Sequence, residues 1–129
     1  ADISHLQERR EFLQRISLFE EAISYGVLNR IAAASKISFH EAGTQLNGLP
    51  ESALMIVENG QALLGDGSGV KAPFEIGAFF GEEILFGKEF DYSLDFEQPT
   101  HLLGIPFDVV DQIPIVRWKL FEHLTGRAT

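Results

Sequence analysis

Apolar residues recur at three- and four-residue steps through the first third of the chain: Leu6, Phe12, Leu13, Ile16, Phe19, Ile23, Val27, Leu28 and Ile31. This is the period of a helix with one apolar stripe, and it predicts helices over about residues 3–34. Ser17, followed by Glu20 and Glu21, sets a capping hydroxyl ahead of carboxylates, the pattern of a helix start. Gly26 is the expected break between two helices.

From Lys36 the texture changes to short apolar pieces punctuated by Gly, Asn, Asp and Pro. Ile37-Ser38-Phe39-His40 alternates, and Glu41-Ala42-Gly43 reads as a turn. Leu54-Met55-Ile56-Val57 and Gln61-Ala62-Leu63-Leu64 flank Asn59-Gly60. That dipeptide between two apolar runs predicts a tight β-hairpin, because both central positions of such a turn favour positive φ. Gly65-Asp66-Gly67-Ser68-Gly69 reads as a further hairpin loop, and Leu102-Leu103-Gly104-Ile105 as a last buried strand. Pro106 then releases the chain into a short helix over Phe107–Asp111, and Ile115, Trp118, Leu120, Phe121 and Leu124 predict a closing helix after Pro114. Helices, then many short strands, then helices make an α+β chain with a small barrel or sandwich at its centre. The expected extents are about 36–106 for the strands and about 107–125 for the last helices.

Length and charge narrow the function. A chain of 129 residues with 11 Phe fits one domain with one core. No run of about 18 apolar residues occurs, so no membrane insertion is expected. Ten Lys and Arg against 19 Asp and Glu give a net charge of -9. Nucleic acid presents dense phosphate charge and calls for a basic surface, so it is not an expected partner. The absence of cysteine removes disulfides and thiolate metal sites and is compatible with a cytoplasmic location.

Candidate chemistry concentrates in Phe79-Phe80-Gly81-Glu82-Glu83-Ile84-Leu85-Phe86-Gly87-Lys88-Glu89-Phe90-Asp91-Tyr92-Ser93. This run resembles the phosphate-binding cassette of cyclic nucleotide-binding domains, which begins Phe-Gly-Glu and normally ends Pro-Arg-Ala. Other landmarks of that family follow in order. Ile16-Ser17-Leu18-Phe19 is similar to its opening helices, and Phe39-His40-Glu41-Ala42-Gly43 to its Phe-x-x-Gly turn. Leu54 to Ala62 is similar to its Ile-x-x-Gly-x-Val run. Ile76-Gly77-Ala78-Phe79-Phe80-Gly81-Glu82 is similar to its Gly-x-x-Phe-Gly-Glu signature, and Leu103-Gly104-Ile105-Pro106-Phe107 to its exit strand. The resemblance, over residues 16–124, implies a double-stranded β-helix, or jelly-roll-like β-roll, flanked by N-terminal helices and a C-terminal helix. It also implies a regulatory or sensory module attached to an effector domain in a longer protein. A small-molecule ligand would bias two packings of the cassette and closing helix, and homodimerisation would run through the C-terminal helix.

By that resemblance the ligand site comprises Phe80, Gly81, Glu82, Glu83, Lys88, Asp91, Tyr92 and Ser93. Gly81 would allow close backbone approach, Glu82 would accept from a ribose hydroxyl, and an Arg near the end would clamp the phosphate through two charge-assisted bonds. That Arg is missing. Its place falls on Asp91 counting from Phe80, or on Phe90 if the Gly87 turns are superposed. Residues 80–95 carry five acids against Lys88 alone. Removing one partner of a buried charge pair costs about 3–5 kcal/mol, roughly a hundredfold or more in affinity. The usual pose of cAMP or cGMP is therefore not expected. The alternatives are a genuine cyclic nucleotide site using Lys88 and backbone amides, and a structural oligomerisation module. Tyr92 is positioned to fill the pocket.

Catalysis has no constellation to rest on. The chain has no Gly-x-Ser-x-Gly elbow, no phosphate loop ending in Gly-Lys-Ser or Gly-Lys-Thr, and no His-x-His pair among His5, His40, His101 and His123. Glu82 and Glu83 are adjacent and diverge on a helix, a poor acid–base pair. Neither an enzyme nor a bound cofactor is expected.

Overall fold

The computed structural model describes residues 3–16, 19, 24–49 and 52–128. They form two compact units, one from the residues up to Ser35 with those from Ile105 onward, the other Lys36–Gly104.

In the first unit, α1 spans Ile3–Gln14 and α2 spans Tyr25–Ala34. Ser24 starts α2: its hydroxyl accepts from the Val27 N–H at 3.2 Å, satisfying one of the donors that a helix start leaves free. The expected break at Gly26 is therefore displaced. Gly26 lies inside the first turn of α2, where the Ser24 cap fixes the helix and outweighs the low helix propensity of glycine. The predicted start at Ser17, Glu20 and Glu21 lies outside the described residues. Arg9 Nη1 donates to the Ser35 carbonyl at 2.9 Å, which ties α1 to the end of α2. After the strands, α4 spans Phe107–Asp111 and α5 spans Pro114–Ala128. Arg30 Nη2 bonds Gln112 Oε1 at 3.0 Å, joining α2 to the end of α4. Pro114 opens α5 at the helix position that tolerates a missing N–H. Leu13, Leu28 and Ile31 of the predicted N-terminal stripe are buried, and so are Leu120 and Leu124 of the closing helix, but that helix turns Val116 inward and leaves Trp118 and Phe121 of its predicted stripe exposed.

The second unit is built on eight strands: β1 Lys36–His40, β2 Thr44–Asn47, β3 Ala53–Asn59, β4 Ala62–Gly65, β5 Lys71–Phe74, β6 Phe79–Phe80, β7 Ser93–Phe96 and β8 Thr100–Pro106. The short helix α3, Glu82–Leu85, separates β6 from β7. Two antiparallel four-stranded sheets result, ordered β1-β8-β3-β6 and β2-β7-β4-β5. This is the expected jelly-roll β-roll, with neighbours in sequence alternating between sheets except for β4 and β5, which pair with each other. The apolar run of β3 is buried on both faces. Met55, Val57, Ala62, Leu64, Phe80, Leu94, Phe96 and Leu102 form the core of the roll.

The expected hairpin at Asn59-Gly60 does not form. β3 and β4 lie in different sheets, and the turn is a corner between them. Gly60 still supplies positive φ, at 91°, but closeness is what requires glycine. A Cβ there would stand 2.6 Å from the Pro99 carbonyl oxygen and 2.6 Å from Thr100 Oγ1. The Thr100 hydroxyl, buried at the start of β8, accepts from the Gln61 N–H at 3.3 Å and lies 3.0 Å from the Gln61 carbonyl oxygen. The glycine-rich loop at 65–69 does close a hairpin, with Gly65 opposite Lys71. Asp66 Oδ1 accepts from the Ser68 N–H at 2.9 Å and shapes that loop.

Candidate functional site

The cassette begins where β6 pairs with β3, Phe80 opposite Met55. Register sends the Phe80 ring inward, where it is buried. Gly81 follows in the left-handed region at φ 96° and caps α3, packed 3.1 Å from Leu49 Cδ1 as measured from an added Cβ. Glu82 and Glu83 occupy the first turn of α3 and are both buried. The Lys88 N–H donates to the Glu83 carbonyl at 2.9 Å and curls the chain after α3. The Lys88 side chain is exposed.

Beyond Lys88 the backbone turns toward β7, and its aromatics re-enter the roll. Phe74 and Phe80 meet edge to face at 5.7 Å, Phe80 and Phe90 stack at 6.0 Å, and Phe90 meets Tyr92 at 5.1 Å. This ladder runs from β5 through β6 to the start of β7, and Phe90 and Tyr92 pack on the core of the roll. Ser93 Oγ donates to the Gly65 carbonyl at 3.3 Å, joining β7 to β4.

The eight residues that the resemblance assigns to a ligand site thus divide in space. Asp91, Tyr92 and Ser93 line an open cleft of about 540 Å³, together with Phe90. Phe80, Gly81, Glu82 and Glu83 are buried, and Lys88 stands apart from that cleft. The opposite walls come from residues that sequence reasoning missed: Gln45 and Asn47 on β2, and Asp66 with its flanking glycines at the end of β4. The signal in β2 was faint, amides at alternate positions around the single apolar Leu46. Its pairing with β7, Asn47 opposite Ser93, is what brings them to the cassette.

The charge of this cleft follows from its lining. Asp66 and Asp91 contribute carboxylates, and among the described residues no Lys, Arg or His lines it. Hydrogen bonds from Ser68 hold the Asp66 carboxyl below its ordinary range. On the neighbouring strands the Lys71 ammonium bonds Asp95. His40 lies elsewhere, stacked on Phe96 at 4.6 Å with its Nε2 2.9 Å from Ser38 Oγ, and burial lowers its pKa. His101 Nδ1 sits 3.5 Å from Glu58 Oε2. Among the described residues no three His, Asp or Glu gather as metal ligands, and no helix is long and apolar enough to cross a membrane.

No family model matches this chain, and neither does any curated protein. Solved structures do. The regulatory domain of Toxoplasma gondii PKA with cAMP superposes with a TM-score of 0.84 at 13% identity, over 96% of this chain and 51% of that one. A cAMP-bound PfPKA-R gives 0.76 at 14% identity, over 95% and 48%. The sensor domain of the transcriptional regulator DNR from Pseudomonas aeruginosa gives 0.75 at 17% identity, over 95% and 89%. The chain has the fold of the cyclic nucleotide-binding domains. It spans about half the length of the two PKA chains it matches.

Proposed function

We propose that this chain is a regulatory sensor module of a longer protein, one whose cassette does not hold a cyclic nucleotide in the usual pose. The observation that carries this reading is the aromatic ladder Phe74, Phe80, Phe90 and Tyr92, which packs side chains into the roll. The charge of the cassette supports it, since a cyclic phosphate would meet Asp91 with no guanidinium to neutralise it. Both matched PKA structures contain cAMP, whereas in this chain the resemblance puts Asp91 or Phe90 where a phosphate-clamping Arg would stand. Calorimetry with cAMP and cGMP tests the proposal. The expected result is no saturable heat at micromolar nucleotide, and micromolar binding of either compound overturns it.

The C-terminal helix favours a second element of the same reading, self-association. Val116, Leu120 and Leu124 are buried, while Trp118 and Phe121 are 57% and 44% exposed and lie 6.4 Å apart. They line an open groove of about 650 Å³ with Asp111, Pro114 and Arg117. Burying two aromatics of this size stabilises an interface by roughly 2–4 kcal/mol beyond what a polar face provides. Light scattering of the wild type is expected to show a dimer, and Trp118→Ala a monomer with unchanged circular dichroism. A monomeric wild type removes this element and leaves the ligand reading intact.

A further inference from the structure

We infer that Asn47-Gly48 is a site of spontaneous covalent modification. In the folded chain its side-chain amide is lost to water through a backbone imide, while the same dipeptide at Asn59-Gly60 is protected by its surroundings. The inference stands apart from the ligand reading above and needs no reactant but solvent water.

Asparagine followed by glycine is the reactive pairing, because asparagine is chemically labile and glycine puts no side chain beside the attacking nitrogen. The chain contains two such pairs. The Gly48 nitrogen, losing its proton to solvent base, attacks Asn47 Cγ. The new C–N bond closes a five-membered imide, the Cγ–Nδ2 bond breaks, and ammonia departs. Water then opens the ring at either carbonyl. One opening leaves aspartate, and the other leaves isoaspartate, with the main chain rerouted through the side-chain carbon. Amide and water have become carboxylate and ammonium, and nothing is oxidised or reduced.

Both asparagines are exposed and both end a strand, so exposure does not choose between them. Room does. Bringing the glycine nitrogen onto Cγ requires a large rotation of the peptide out of the extended conformation. At Gly60 that motion is blocked. An added Cβ there would lie 2.6 Å from the Pro99 carbonyl oxygen and 2.8 Å from Thr100 Cα. The next residue, Gln61, is held by the Thr100 hydroxyl at 3.3 Å and 3.0 Å, and β3 lies inside its sheet. At Gly48 an added Cβ finds nothing within 4 Å. β2 is a four-residue edge strand, paired in its sheet with β7, and strand ends of this kind open at little cost. The Gly48 N–H donates to the Tyr92 carbonyl at 3.0 Å, and fraying of the last β2 pair, Asn47 opposite Ser93, releases it. Isoaspartate adds a backbone carbon at that pair, so β2 no longer matches β7 there. Either product adds a carboxylate to a cleft that already carries Asp66 and Asp91.

Glutamate-specific cleavage follows both sites separately. It cuts after Glu41 and Glu51 and after Glu58 and Glu75, leaving each Asn-Gly pair in its own peptide. One ¹⁵N-labelled sample of the chain is aged folded in mildly alkaline buffer and another in urea, and mass spectrometry reads the amide-to-acid change in each peptide. In urea the two pairs should convert at rates within about twofold of each other. In the folded chain Asn47 should convert about tenfold faster than Asn59, or more. The aged folded chain should also lose the native amide signals of Gly48 and Ser93, which Asn47→Asp keeps because its main chain is not rerouted. Comparable rates in the folded chain, faster loss at Asn59, or an Asn47 peptide still intact when the urea sample has converted overturns the inference. So does a tenfold difference that persists in urea, since flanking sequence and not the fold would then choose the site. An aged chain whose amides match those of Asn47→Asp would mean direct hydrolysis without the imide, and overturns it as well.

Discussion

Gly60→Ala lowers the stability of this domain by about 2–5 kcal/mol, while the same change at Gly67 costs about 1 kcal/mol. Both glycines have φ near +90°, so alanine meets a comparable backbone penalty at each. They differ in what lies beside them. At Gly67 an added Cβ finds nothing within 4 Å. At Gly60 it would come within 3 Å of three atoms: the Pro99 carbonyl oxygen, the Thr100 Oγ1 and the Thr100 Cα. Two of these belong to the backbone entering β8 and cannot swing aside. Relief requires parting the corner from β8, which strains the 3.3 Å and 3.0 Å contacts of the buried Thr100 hydroxyl with Gln61. Chemical denaturation of the two variants measures the difference directly. In thermal melts, Gly60→Ala should fall roughly 10 °C or more below wild type. Equal losses at the two positions would mean that the chain does not cross between sheets at this corner.

That corner also shows what the sequence could and could not reveal. Asn59-Gly60 between apolar runs carries the local chemistry of a tight turn, and a tight turn is what forms. Local chemistry does not specify whether the two strands pair with each other or with distant partners. That choice is made by non-local burial: β3 is apolar on both faces and sits inside its sheet, while β4 pairs with β5 and β7. The strands readable in advance, β1, β3, β4 and β8, are those with apolar runs or clear alternation. β2 and β5 were not legible, because Thr-Gln-Leu-Asn has one apolar residue and Lys-Ala-Pro-Phe is interrupted by proline; β6 has only two residues, and β7 is a four-residue alternation directly after the cassette. Pro73 lacks an N–H and stands in β5, an edge strand that can spare one. The resemblance to a known cassette supplied the roll that periodicity alone left as a barrel or sandwich. The cleft was half legible for the same reason. Asp91, Tyr92 and Ser93 lie together in one motif, whereas Gln45, Asn47 and Asp66 join them only through β2–β7 and β4–β7 pairing.

Phe80→Ala is expected to be the most damaging change within the cassette, costing about 3–5 kcal/mol. Sequence places Phe80 at the head of a ligand-binding signature, and the structure makes it a wall of the core. It is 1% exposed, pairs with β3 at Met55, and holds Phe74 on one side and Phe90 on the other. Its removal forfeits the transfer energy of a full ring, two aromatic contacts and the packing around the cavity left behind. Against a net stability of about 5–15 kcal/mol for a domain of this size, that loss removes from about a fifth to the whole of it. Tyr92→Ala provides the comparison. Tyr92 is only half-buried, at the open end of the ladder, and its loss should cost about 1–2 kcal/mol. Urea denaturation of both variants gives the ordering, and Phe80→Leu should recover more than half of the alanine deficit by refilling the space. A roll kept open for a ligand would answer differently. Its lining aromatics would be loosely held when empty, and Phe80→Ala would cost no more than Tyr92→Ala.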